Sequence, residues 1–273
     1  MRLSESGELG LLAELEQLGL IVGVQHDAAQ LDGDLVVTQD ALVEGVHFRL
    51  DWLSWRDLGW RAAAVNLSDL AASGAEPEAL LVTLVAPAAT STADVVELYR
   101  GLAETGVPVV GGDTTQGPVL VISVTALGRS ARVPGRAGAQ PGDVLVVTGP
   151  LGAAGAAFRE QRYVRPSLRL AEGRTLAAHA HALMDISDGL GVDAGHIARR
   201  SGVRCVLELD RVPLAAGATI DDLAFGEDYE LLAAVAEPGE LAVIGRVEAG
   251  DGVLVLRDGE PVALAGWQHF DRD

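Results

Sequence analysis

Apolar positions along the first half of the chain fall into two kinds of run. Short apolar stretches at residues 35–38, 80–85, 107–110 and 120–127 have the length and the flanking residues of β-strands. Between them, residues 56–73 repeat apolar positions at helical spacing and carry an Ala-rich face suited to close packing. Residues 92–105 form a second helical stretch, with Asp94 near its start and Gly106 just past its end, the usual start and stop signals. The run at 35–38 leads into Gln39-Asp40. The run at 107–110 leads into Gly111-Gly112-Asp113, which reads as a tight turn. The alternation predicts a mixed α/β or α+β domain.

Arg, Gly and Pro cluster over residues 129–142, the turn-forming composition of an interdomain connection. Beyond it, residues 144–148 read as a strand, 152–160, 170–182 and 186–200 as helices, and 205–209, 229–235 and 254–257 as strands of a second α/β domain. The expected division is therefore an N-terminal domain 1–135 and a C-terminal domain 136–273.

Composition narrows the chemistry. All 20 basic residues of the 273-residue chain are arginine, against 39 acidic ones, for a net charge of −19. Without lysine there is no P-loop lysine, no Schiff base and no protein-kinase lysine. A GC-rich coding bias is the better explanation of the absence. The acidic balance argues against nucleic acid and against an anionic membrane as partners. Apolar runs are too short for a bilayer span, and no charged-then-apolar leader pattern opens the chain, so a soluble, cytoplasmic protein is expected. The single Cys205, inside an apolar run, reads as a core residue rather than a nucleophile.

Aspartates recur at or beside the ends of apolar strands, at Asp27, Asp40, Asp113, Asp185 and Asp188, and Asp69 joins them from a helix with Asn66 one turn earlier. Each alone is an ordinary cap or turn former. Drawn together from distant segments, they are what a hard cation such as Mg²⁺ needs, since it takes several oxygen ligands and shares them with phosphates. Gly111-Gly112-Asp113-Thr114-Thr115 offers backbone amides, hydroxyls and a carboxylate, a way to hold phosphate without lysine. The stretch 148–155 follows a strand and opens a helix, but its glycine spacing is not that of a dinucleotide fold, and close helix packing is the better reading. His47 and His269 lack the neighbours a zinc site requires, and no G-x-S-x-G nucleophile turn is present.

In order along the chain, these segments resemble the thiamine-monophosphate kinases, a family in the superfamily of aminoimidazole ribonucleotide synthetase. The resemblance rests on residues 38–48 (TQDALVEGVHF), 64–77 (AVNLSDLAASGAEP), 111–115 (GGDTT), 136–143 (RAGAQPGD), 185–190 (DISDGL), 226–231 (GEDYEL) and 266–270 (GWQHF). It implies a two-domain synthetase-like fold of mixed α/β (α+β) class. The N-terminal mixed sheet would form a barrel across a homodimer, with a C-terminal α/β domain behind it. It implies ATP-dependent phosphorylation of thiamine monophosphate to thiamine diphosphate with several Mg²⁺ ions and no general base. By match to the motifs, Asp27, Thr38, Gln39, Asp40, Asp69, Asp113, Asp185 and Asp188 are metal positions. Gly112, Asp113, Arg136 and Ser187 are ATP positions, and His47, Glu227 and Trp267 are substrate positions.

The chain departs from the family pattern at three places. Gln25-His26-Asp27 stands where G-D-D is usual, Gln39 where the family has Thr, and Phe225 where a second glycine precedes Gly226. Other readings remain open. One is a different ATP-dependent member of the superfamily, such as a ring-closing synthetase. Another is a selenophosphate synthetase or a maturation dehydratase, each of which would be expected to carry a reactive cysteine in a mobile terminal segment, a role that Cys205 does not fit. From a different class comes a nucleotide-binding protein that has lost turnover.

Overall fold

In the first sheet, apolar side chains alternate with polar ones, and that period of two decides which face is buried. Val36 on one strand, Leu80, Val82 and Leu84 on a second, and Ile122, Val124 and Ala126 on a third all point into one core. The structure is a computed structural model and describes residues 3–21 and 26–267. Gln25, His269 and Phe270 lie outside the described residues. The strands β1 (Ala29–Gln30), β2 (Leu35–Val43), β3 (Glu76–Ala86), β4 (Val109–Gln116) and β5 (Val121–Arg129) form a five-stranded open sheet ordered β1-β2-β5-β3-β4. Only β3 and β4 run parallel; the other pairs are antiparallel. Among the described residues this sheet does not close into a barrel.

Among the described residues six α-helices accompany the sheets: α1 (Leu3–Gln17), α2 (Trp55–Ala72), α3 (Thr92–Ala103), α4 (Ala153–Arg159), α5 (Leu170–Ala177) and α6 (Leu190–Ser201). Helix α2 starts where the Ser54 hydroxyl accepts the Asp57 amide at 3.1 Å, and it is buried over most of its circumference. One side packs on the first sheet and on α3; the other reaches α5 and the second sheet. Gly59 of α2 and Gly101 of α3 face each other's helix, and a Cβ at either would overlap a backbone carbonyl opposite, at Leu98 and at Arg56. That contact brings the two helices together backbone to backbone.

The second sheet has seven strands: β6 (Val144–Val147), β7 (Ala182–Asp185), β8 (Arg204–Glu208), β9 (Leu231–Val235), β10 (Ala242–Glu248), β11 (Gly252–Arg257) and β12 (Glu260–Pro261). Their order is β12-β11-β8-β10-β6-β9-β7. Cys205 is fully buried in its core, and burial pushes the thiol up to about 12, so it is a packed side chain and not a reactive one. Among the described residues no helix is long and apolar enough to cross a membrane.

Three expectations need correction. Gly111-Gly112-Asp113 is not a tight turn but the middle of edge strand β4, where Val82 pairs with Gly112 and Thr83 with Asp113. Gly112 has φ 148, and a Cβ there would overlap the Val82 carbonyl, so glycine serves close strand approach instead of a turn. The expected helix 170–182 ends at Ala177, and residues 182–185 are strand β7. Gln39 and Asp40 do not end a strand at Thr38 but sit within β2. Strand β10 and helix α1 were not anticipated by the apolar pattern.

Candidate active site

Helix α2, strand β2 and the end of β7 converge on one cleft of about 410 Å³. Asp69 projects from α2 near its C-terminal end, Thr38, Gln39 and Asp40 from β2, Asp185 from the last position of β7, and Asp27 from the loop before β1. Around them stand Arg136, Ser187, Asp188, His47, Glu227 and Trp267. Every residue given a metal, ATP or substrate position from the sequence therefore lines this cleft except Gly112 and Asp113, which lie on the exposed edge strand β4.

Asp27, Asp69 and Asp185 each bring one carboxylate oxygen within 4.8 Å of the others. Thr38 donates to Asp69 Oδ2 at 2.5 Å, and Ser68 donates to Asp185 Oδ2 at 2.6 Å. Arg136 donates to Asp27 Oδ1 through Nε at 2.8 Å and through Nη2 at 2.5 Å. Asn66 accepts the Asp40 amide at 2.9 Å and gives its own NH₂ to the Ala62 carbonyl, which fixes β2 on α2. The Gln39 amide donates to Ser123 on β5, so its side chain is engaged away from the carboxylates.

Burial and like charge push these acids toward the neutral form. Asp185 is pushed up to about 8 by burial and then by Asp27, against the Ser68 hydrogen bond and Arg136. Asp69 is raised well above the carboxylate range by burial and then by Asp40, Asp185 and Asp27. Asp27 is raised by burial despite Arg136, and Asp40, at the open rim, is raised by loss of hydration and then by Asp27 and Asp188. Such a group ionises fully only when a cation arrives to share the oxygens, and an all-oxygen donor set suits a hard divalent ion. The residues present thus fit Mg²⁺. A second group, Asp188, Asp193 and His196, also places one ligand atom each within 4.8 Å.

The loop carrying Ser187 and Asp188 is held by a residue that the sequence reading missed. Asp193 Oδ2 accepts the amides of Ser187, Asp188 and Gly189, each at 3.1 Å. An acid in the first turn of α6 was the available signal. Glu227 sits at φ 57 and is joined by an ion pair to Arg61, which is itself buried and lies over the Tyr163 ring at 4.9 Å. The Glu227 amide donates to the Ser187 carbonyl and the Trp267 amide to the Asp188 carbonyl, so these three segments share one backbone framework. His47 Nδ1 accepts the Val43 amide at 3.1 Å, which leaves the ring proton on Nε2. His26, in place of a carboxylate, packs against Gly135 beside Asp27; it brings no negative charge to the cluster, and burial lowers its pKa, which disfavours the imidazolium.

Residues 25–130 match the N-terminal domain, and residues 140–256 the C-terminal domain, of AIR synthase related proteins. A thiamine-monophosphate kinase of Aquifex aeolicus is 34% identical over 99% of this chain and 100% of its own length. That of Mycobacterium tuberculosis is 35% identical over 98% and 93%. The chain belongs to the thiamine-monophosphate kinase family. AaThiL complexed with AMPPCP and TMP superposes on this family member with a TM-score of 0.90 at 34% identity, covering 98% of this chain and 99% of that one. The kinase from Stenotrophomonas maltophilia gives 0.74 at 33% identity, over 93% and 98%. A HypE-HypF complex gives 0.80 at 20% identity and shares the fold.

Proposed function

We propose that this chain transfers the γ-phosphoryl group of ATP to the phosphate of thiamine monophosphate, giving thiamine diphosphate and ADP. The observation that carries the reading is the meeting of carboxylates from distant segments, Asp27, Asp69 and Asp185, in one cleft with His47, Glu227 and Trp267. A relative crystallised with an ATP analogue and TMP supports it. The acceptor is already an anion, so no general base is needed, and positioning with charge neutralisation supplies the catalysis. Bound Mg²⁺ would neutralise the approaching phosphates.

The roles follow from placement. Asp27, Thr38, Gln39, Asp40, Asp69, Asp185 and Asp188 hold the metal ions, Gln39 through its carbonyl. Arg136 divides its guanidinium between Asp27 and the ATP phosphates, and Ser187 presents its hydroxyl to the same phosphates. His47 and Glu227 orient the acceptor, and Trp267 stacks on one of its rings. Residues 1–135 form the ATP and metal domain, and residues 136–273 form the C-terminal α/β domain.

Gly112 and Asp113 enter the site by a different route. Strand β4 is an unpaired edge bordered by the exposed apolar residues Val110, Val119 and Leu81. Pairing of this sheet with that of a second copy would cover the edge, close a barrel-like sheet across a homodimer, and carry Gly112 and Asp113 to a neighbouring ATP site. The setting is the cytoplasm, where ATP and Mg²⁺ are supplied.

The test is a turnover assay with ATP and Mg²⁺, offering thiamine monophosphate beside thiamine and aminoimidazole precursors. Diphosphate formed from thiamine monophosphate alone is the expected result. Turnover of an aminoimidazole precursor, or no turnover at any Mg²⁺ concentration, would refute the reading.

A further inference from the structure

Aromatic residues are scarce in this chain, with four Trp, three Tyr and four Phe, yet five of them line the one cleft. Two of these stack on each other and have no role above. Phe158, near the end of α4, and Phe225, next to Gly226, both border the cleft, with ring centroids 4.8 Å apart and planes 39° from each other. Trp52 meets Phe158 edge to face at 5.3 Å. Phe158 keeps 42% of its surface exposed, so burial of its own ring does not explain its position.

The position of Phe225 relative to the loop of Asp188 is fixed by backbone contacts. Gly226 packs so tightly on the Ser187 carbonyl that a Cβ would overlap it, and the Glu227 amide donates to that carbonyl at 2.9 Å. Phe225 is thereby pinned to the loop that carries Asp188. A ligand with a phosphate at the acidic end and a ring at the other meets a wall at constant distance from the metal ions.

Charge selects the kind of ring. An aromatic face carries negative quadrupole and favours a cation within about 6 Å of the centroid. Among the described residues, the arginines that stack on rings take Trp52, Tyr163 and Trp60, and none takes Phe158 or Phe225. The charged side chains lining the same cleft are carboxylates save Arg136, a balance that favours a positive ligand.

Resting on the kinase reading, we infer that Phe158 and Phe225 form a wall that binds the cationic thiazolium ring of the acceptor and sets its preference over uncharged rings. This specificity element is particular to a chain with Phe at position 225. It assigns the two rings to the acceptor, not to ATP.

The experiment is isothermal titration of the full chain, with Mg²⁺ and a non-hydrolysable ATP analogue present, using thiamine monophosphate and an analogue whose thiazolium is replaced by a neutral ring. Phe225→Leu keeps an apolar side chain but removes the π face, and Phe225 has an ordinary φ of −74 that leucine adopts without strain. Phe158→Leu is a second variant at an exposed position, should the first fold poorly. Either substitution is expected to weaken thiamine monophosphate roughly 3- to 30-fold, while affinity for the neutral analogue and for the nucleotide stays unchanged. Equal affinity for thiamine monophosphate in wild type and both variants, or an equal loss for the neutral analogue, would overturn the wall. Turnover by the wild-type chain separates the two ideas. Wild-type turnover with unaffected variant binding refutes the wall alone, and absent turnover with weakened variant binding refutes the kinase reading alone.

Discussion

The Ser68 hydroxyl donates a 2.6 Å hydrogen bond to Asp185 Oδ2, across 117 residues of sequence. It joins the helix that carries Asp69 to the strand end that supplies the third carboxylate of the cluster. Both residues are buried, at 4% and 3% exposure, so neither has water as a substitute partner.

Ser68→Ala should therefore cost about 1–3 kcal/mol of stability, the range for leaving a buried acceptor unsatisfied. It should also raise the Mg²⁺ concentration needed for half-maximal turnover, because Asp185 is no longer held toward Asp27 and Asp69. Urea unfolding and a Mg²⁺ titration of the rate are the measurements. A stability loss with an unchanged Mg²⁺ requirement would show that the bond only fastens the fold.

Asp69→Asn separates stability from function. Three acids crowd within 4.8 Å and are pushed toward neutrality, so removing one charge relieves the metal-free protein. In chelator the melting temperature should rise or stay level, the gain on adding Mg²⁺ should vanish, and turnover should fall by orders of magnitude. A nucleotide-binding protein without catalysis would have no turnover to lose.

Arg61 is 3% exposed, and its Nε has no hydrogen-bond partner among the described residues. Its guanidinium pairs with Glu227 and covers Tyr163. Arg61→Ala leaves that acid unpaired and should destabilise by about 3 kcal/mol, with a rise in KM for the acceptor. Arg61→Lys restores charge without the planar fork and should recover stability more than KM, as denaturant curves and steady-state kinetics would show.

Asp228, outside the carboxylate cluster, contributes a pH dependence of its own. Burial raises its pKa to about 6, against amides of Gly152 and Ala154 that favour the anion. A folded pKa above the unfolded value means that the folded protein holds the proton more tightly. The stabilisation is complete below about 3.8, the unfolded value, and is lost as pH rises through about 6. Asp228→Asn stays neutral, so wild type should lose about 2 kcal/mol relative to it between pH 4 and pH 7. Equal pH slopes in denaturant unfolding would contradict this.

The parts of the site legible in the sequence are those where one residue type in one segment already implies chemistry. Asp40, Asp69, Asp185 and Asp188 each follow an apolar stretch, and their convergence could be anticipated from the cation they suit. Ser68 and Arg61 could not be anticipated, because their importance comes from a partner more than 100 residues away. Gly112 misled for a physical reason. Glycine permits both a turn and a close strand approach, and only the Val82 carbonyl opposite it decides between them. Strand β10 was hidden by Gly245 and Arg246, which interrupt its apolar alternation, and β7 by its continuity with a helical run. Phe225 was visible as a departure, but its stacking on Phe158 depends on the third dimension.

The central claim is direct transfer from ATP to a phosphate acceptor, and isotope tracing tests it most closely. With ATP labelled at the γ-phosphate, thiamine monophosphate and Mg²⁺, the label should appear in the terminal phosphate of thiamine diphosphate. One ADP should form per product molecule, without inorganic phosphate. Label released as inorganic phosphate, as a ring-closing synthetase would produce, or an absence of any labelled product, would contradict the account.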